Sequence, residues 1–75
     1  MHPTAEQIQR MGWSVSVTYY TPEDREEAAR QGATLPTVGA DATRRGRRLW
    51  APGDTEAEAL ADLLAQVQRE AEVPA

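Results

Sequence analysis

Trp13-Ser14-Val15-Ser16-Val17-Thr18-Tyr19-Tyr20 is the stretch that decides the fold. Trp13, Val15, Val17 and Tyr19 alternate with Ser14, Ser16, Thr18 and Tyr20. A period of two built from β-branched and aromatic side chains predicts a strand with one face on a core and the other in water. By parity Trp13 points inward and Tyr20 outward, so Tyr20 is the aromatic residue expected at the surface. The dry face of such a strand needs something to cover it.

The cover is read from residues 56–71. Leu60, Leu63, Leu64, Val67 and Ala71 recur at helical spacing, and Glu56, Glu58, Asp62, Gln66 and Glu70 fall mostly off that stripe. The helix spans about 24 Å. An eight-residue strand spans roughly 26 Å, so the two match in length. Thr55 with Glu58 has the spacing of a capping box, just after Pro52 and Gly53.

Two further helices carry the same type of signal. Thr21 with Asp24, and Pro22 at the first helical position, open a helix over 22–31 that Gly32 stops. Its only apolar contacts are Ala28 and Ala29, and its N-terminal end holds Glu23, Asp24, Glu26 and Glu27, where the helix dipole favours acid. It is expected to lie lightly on the sheet with a solvated outer face. Thr4 with Gln7 predicts a short N-terminal helix carrying Ile8 and Met11 and ending at Gly12. Met11-Gly12 also reads as an internal start, with residues 1–12 a flexible or helical extension of a domain that begins at Trp13.

Leu35 to Ala40 reads as a weaker strand. Pro36 cannot donate to a ladder, which places this strand at an edge. Asp41 to Gly46 is then the turn and Arg47 to Ala51 the third strand, with either Leu49 or Trp50 facing inward but not both. In a chain without Phe, Trp13 and Trp50 are the expected large core residues. Val73-Pro74-Ala75 reads as a frayed end. The expected fold is a single α+β domain over residues 1–75. Its small three-stranded, mostly antiparallel sheet is covered on one face by the C-terminal helix, with a shorter helix after strand one and a short helix at the N-terminus. The alternative is a βαββ unit whose first two strands run parallel through the helix at 22–31.

Composition bounds function. Seventy-five residues make one domain. No apolar run approaches about 18 residues, so no membrane span is expected, and no secretory signal is visible. The absence of cysteine removes disulfides and thiolate chemistry and points to a cytoplasmic protein. Lys, Asn and Phe, whose codons are AT-rich, are missing while Ala and Arg abound, which points to a GC-rich bacterial or phage genome. The large apolar residues are few, so a partner or self-association into a homo-oligomer is expected to add stability. No catalytic, cofactor-binding or metal-ligating set is assigned. The single histidine, His2, lies at the terminus with no second ligand at metal spacing, and the carboxylates sit on helix surfaces and caps.

Charge is the anomaly. The net charge is −4, yet Arg44, Arg45, Arg47 and Arg48 flank Gly46 and make up half of the eight basic residues. Guanidinium groups at a hairpin tip suit phosphates, with Trp50 or Tyr20 adding stacking. They suit equally an acidic protein surface, where Arg and Trp are favoured hot-spot residues. They also serve a structural purpose, neutralising the chain's own acids or protecting an edge strand. The acidic helix faces read as phosphate mimicry or, more simply, as solvated faces. The favoured expectation is a non-enzymatic interaction protein, a regulator or inhibitor, that binds a protein partner through Arg44, Arg45, Arg47, Arg48, Trp50 and Tyr20. A DNA- or RNA-binding module using the same arginines is the runner-up.

Gly53-Asp54-Thr55-Glu56-Ala57-Glu58-Ala59, leading into Leu60, resembles the strand-to-helix junction of HicB-type antitoxins, where a G-x-T turn caps the helix that covers a small sheet. It is similar also to the last strand and helix of arm-type DNA-binding domains of phage integrases, in which strand residues of a three-stranded sheet contact DNA. The resemblance covers about a third of the chain. It implies a sheet-covering helix and, from the integrase side, a DNA-contacting role matched only in kind by the arginines before Leu49. The chain departs from both families by its helix after strand one, and it lacks the helix-turn-helix or ribbon-helix-helix segment of full antitoxins.

Overall fold

The computed structural model describes residues 2–72. The expected frayed end, Val73-Pro74-Ala75, lies outside the described residues. The elements are α1 (Pro3–Arg10), β1 (Ser14–Tyr19), α2 (Pro22–Arg30), β2 (Val38–Arg44), β3 (Arg47–Gly53) and α3 (Glu56–Glu72). The sheet is three-stranded in the order β1-β2-β3, and both pairings are antiparallel. The fold is the expected small α+β arrangement, and the parallel βαββ alternative is overturned. Tyr19 pairs with Val38, and the Tyr20 N–H donates to the Thr37 carbonyl, so β1 and β2 form a hairpin whose long connection contains α2.

The second strand is a correction. Pro36 precedes β2 rather than lying in it, so its missing N–H takes nothing from the ladder and β2 is free to be central. The proline within a strand is Pro52, in the edge strand β3, where a lost donor is tolerated. The turn is also shorter than the stretch 41–46. β2 continues to Arg44, Arg44 pairs with Arg47, and only Arg45-Gly46 turns. Both turn residues have positive φ, 49° and 80°, as a two-residue hairpin with the twist of a type I′ turn requires.

The register sorts side chains by face. Val15, Val17 and Tyr19 share one face with Val38, Ala40, Ala42, Leu49 and Ala51. On that face α3 lies across β3 and β2, and α1 packs beside α3 against β1. Ala40, Ala42, Ala51 and Ala59 are buried, and small residues on both sides let the helix approach the sheet closely. Ile8, Leu60, Leu63, Val38 and Val67 fill the remaining space. Burying each of these side chains contributes roughly 1.5–3 kcal/mol. Because Ala5 and Ile8 are in this core, the helix at 3–10 is part of the folded unit. Its cap differs from expectation. His2 is the N-cap, its Nδ1 accepting from the Thr4 N–H at 3.1 Å, and Pro3 takes the first helical position.

The junction into α3 explains its glycine. A Cβ on Gly53 would stand 2.5 Å from the Ala59 backbone nitrogen, so only glycine lets β3 run straight under the first turn of α3. Thr55 Oγ1 accepts from the Glu58 N–H at 3.2 Å, while the Glu58 carboxylate reaches back to the Asp54 N–H at 3.0 Å. The box is thus closed one residue earlier than a standard one.

Helix α2 stands apart. It has no buried residue and makes no extensive contact with another element. It is held by its own ends and surface. The Thr21–Asp24 box is complete. The Gly32 and Ala33 N–H groups close a Schellman pair onto Ala29 and Ala28, and Arg30 bridges Glu26 and Glu27.

Candidate interaction surface

With α1 and α3 both on one side, the second face of the sheet is uncovered. It carries Ser14, Ser16 and Thr18 from β1, Gly39, Asp41 and Thr43 from β2, and Arg48, Trp50 and Pro52 from β3. Leu49 is the residue that turns inward, so Trp50, expected in the core, is instead on the open face and 43% exposed. Trp13 is buried as expected.

Trp50 does not project freely. A Cβ on Gly39 would meet Trp50 Nε1 at 2.8 Å and Tyr20 Cε2 at 3.0 Å. The two aromatic side chains therefore converge over the bare backbone of Gly39, which any side chain would prop apart. Tyr20 is only half-buried there. The more exposed tyrosine is Tyr19, at 61%, which reverses the parity expectation. Tyr19 does point to the helix side, but it lies at the end of an edge strand, where its phenol donates to the Glu56 carboxylate at the start of α3. Beyond Tyr20 the open face continues into a groove of about 410 Å³ against α2, floored by Thr18, Leu35 and Ala28 and rimmed by Asp24 and Glu27.

The arginine island divides. Strand alternation sends Arg44 and Arg47 to the helix side and Arg48 to the open face. Arg47 pairs with Glu70 of α3. Arg44 donates to the Met11 carbonyl at a long 3.4 Å. Arg48 pairs with Asp41 across the strands at 2.9 Å. Arg45, in the turn itself, has no hydrogen-bonding or ionic partner among the described residues. Its left-handed backbone is one that Gly, Asn or Asp adopt far more readily. The six residues singled out from the sequence thus form two groups. Tyr20, Trp50 and Arg48 share the open face, and Arg44 and Arg47 line the underside of the hairpin, with Arg45 at the tip between them.

What the sequence reading missed is Gly39, whose role as the floor of the aromatic pair depends on register, and Asp41, placed in the turn but found as the strand partner of Trp50 and the ion partner of Arg48. Among the described residues no polar or charged side chain is buried. Among the described residues no group of three or more His, Asp or Glu is placed to hold a metal ion. Among the described residues no helix is long and apolar enough to cross a membrane. Comparison with protein-family models, curated proteins and solved structures finds no match to this chain. The likeness of residues 53–60 to antitoxin and integrase junctions therefore remains a likeness of one helix cap.

Proposed function

We propose that this chain is a non-enzymatic interaction module, a regulator or inhibitor of bacterial or phage origin. It binds a protein partner across the open face of the sheet and around the Arg44–Arg48 hairpin. The observation that carries this reading is Trp50. A half-exposed Trp stands on the uncovered face of the sheet, converging with Tyr20 over Gly39 and two residues along the strand from Arg48. A large rigid aromatic beside an arginine is the composition that dominates interface energetics. The arginines favour a protein over a nucleic acid. Arg47 and Arg48 are paired with carboxylates of the chain itself, leaving only Arg44 and Arg45 for phosphates in a chain of net charge −4, whereas nucleic-acid affinity grows with each phosphate neutralised.

The test compares the wild-type chain with a Trp50→Ala, Arg48→Ala variant in affinity capture, with each captured protein then purified and titrated. A partner that binds wild type and loses about tenfold or more in affinity for the variant supports the reading. Equal capture by both proteins removes the open face from it. A low-salt gel shift with random-sequence DNA and RNA is run in parallel. Tight, steeply salt-dependent binding there, with no protein partner, replaces the protein reading with the nucleic-acid one.

A further inference from the structure

Beneath the hairpin tip, on the helix side and away from the open face, lies a hollow of about 400 Å³. Met11, Trp13, Val67 and Ala71 form its apolar floor. Arg44, Arg45 and Arg47 stand around its rim with Glu70. Resting on the protein-partner reading above, we propose that this hollow docks an acidic segment of that partner, one apolar residue entering the hollow and flanking carboxylates engaging the arginines.

Charge complementarity selects the occupant. The chain as a whole is acidic, but three guanidiniums and one carboxylate ring this opening. Glu70 is already taken by Arg47. Arg44 makes only one long bond, to a neutral carbonyl, and Arg45 makes none among the described residues. Two guanidiniums are thus free to fork onto carboxylates, the acceptor their planar donors fit best. The floor adds a second requirement. A phosphate or a purely polar anion would leave Met11 and Ala71 uncovered, whereas an apolar side chain removes them from water and lowers the dielectric around the ion pairs. The volume falls near the small end of the range for ligand pockets, roughly 300–1,000 Å³, which suits a single side chain with its adjoining backbone. The backbone of Arg45 fits the same account. Its left-handed conformation, which Asn or Gly would adopt with less strain, places a guanidinium at the tip at a backbone cost.

Trp13 makes the site observable. The chain has two tryptophans, so Trp50→Phe leaves Trp13 as the sole emitter, reporting on the hollow. The probe is an end-blocked peptide, Ser-Asp-Glu-Leu-Glu-Asp-Ser, titrated to on the order of 1 mM. A saturable change in Trp13 emission is expected. Replacing the peptide's Leu by Ser, or its acids by their amides, weakens binding by about tenfold. Ala71→Glu, an exposed helix position on the floor, weakens it similarly with the circular dichroism spectrum unchanged. Arg45→Asn weakens binding while raising the melting temperature, a combination that a purely structural arginine does not give. Equal binding of the Leu and Ser peptides, or no Trp13 response over the whole titration, overturns the proposal. The Trp50→Ala, Arg48→Ala variant keeps its peptide affinity if the site is the hollow, and loses it if the peptide sits on the open face. A failed peptide titration therefore leaves the capture result on the open face standing by itself.

Discussion

On its helix-covered face the sheet presents Val38, Ala40, Ala42 and Ala51, all buried. On its other face the same strands present Asp41, Thr43, Arg48 and a half-exposed Trp50. The covered face is apolar, and its alanines on β2 and β3 let α3 approach. The open face is mostly polar, with Trp50 as its large aromatic, converging with Tyr20 over Gly39. Polarity is therefore distributed according to what lies next to the sheet: helices on one side, and on the other no element of the described residues beyond Tyr20 and the groove against α2.

If that division is correct, stability and recognition separate by face. Leu63, on the sheet-facing side of α3, is fully buried, and Leu63→Ala is expected to cost about 2–5 kcal/mol in urea unfolding. Trp50→Ala removes a larger side chain from the open face but is expected to cost about 1 kcal/mol. Equal losses at the two positions would make the open face a second core and undo the comparison.

The two glycines sharpen it at smaller scale. Gly53→Ala sets a Cβ against the backbone of Ala59 and Thr55, which cannot move without shifting the start of α3. About 1–3 kcal/mol of destabilisation is expected, read from the urea midpoint. Gly39→Ala first meets the Trp50 and Tyr20 side chains. Trp50 can swing outward, so the expected loss is smaller, about 1 kcal/mol or less, accompanied by a red-shifted tryptophan emission. An unshifted spectrum would show that the aromatic pair does not rest on Gly39.

Much of the covered face was legible from sequence, because periodicity reports burial directly. The stripe Leu60-Leu63-Val67 and the alternation at 13–19 each had a regular spacing, and both met in the core. The Thr21 box was legible because a cap is a local contact between residues three apart. The open face was not, since its composition depends on register. Pro36 suggested an edge, but a proline just before a strand and one within it give the same local signal. Once β2 moved to the centre, Asp41 passed from turn to strand, and the arginine island, contiguous in sequence, was divided by alternation between two faces. Thr4 misled for a related reason: His2 is not among the usual caps, yet its ring nitrogen accepts the Thr4 N–H.

Tyr19 gives the smallest effect and the most specific one, because it lies on the helix side by parity and yet remains in water. Its phenol pKa is raised above its ordinary value, first by the hydrogen bond to Glu56, then by desolvation, then by the negative charge of that carboxylate. A raised folded-state pKa means that the bond's contribution is fully present below the unfolded value, about pH 10, and is lost as pH rises through the folded value, where a phenolate would face Glu56. The melting temperature of wild type should therefore be flat from neutral pH to about pH 9 and fall more steeply above pH 10 than that of Tyr19→Phe or Glu56→Gln. The exposed position keeps the difference small, since solvent screens both groups. If all three curves coincide across that range, Tyr19 does not tie β1 to α3, and the covered face is held at that corner by packing alone.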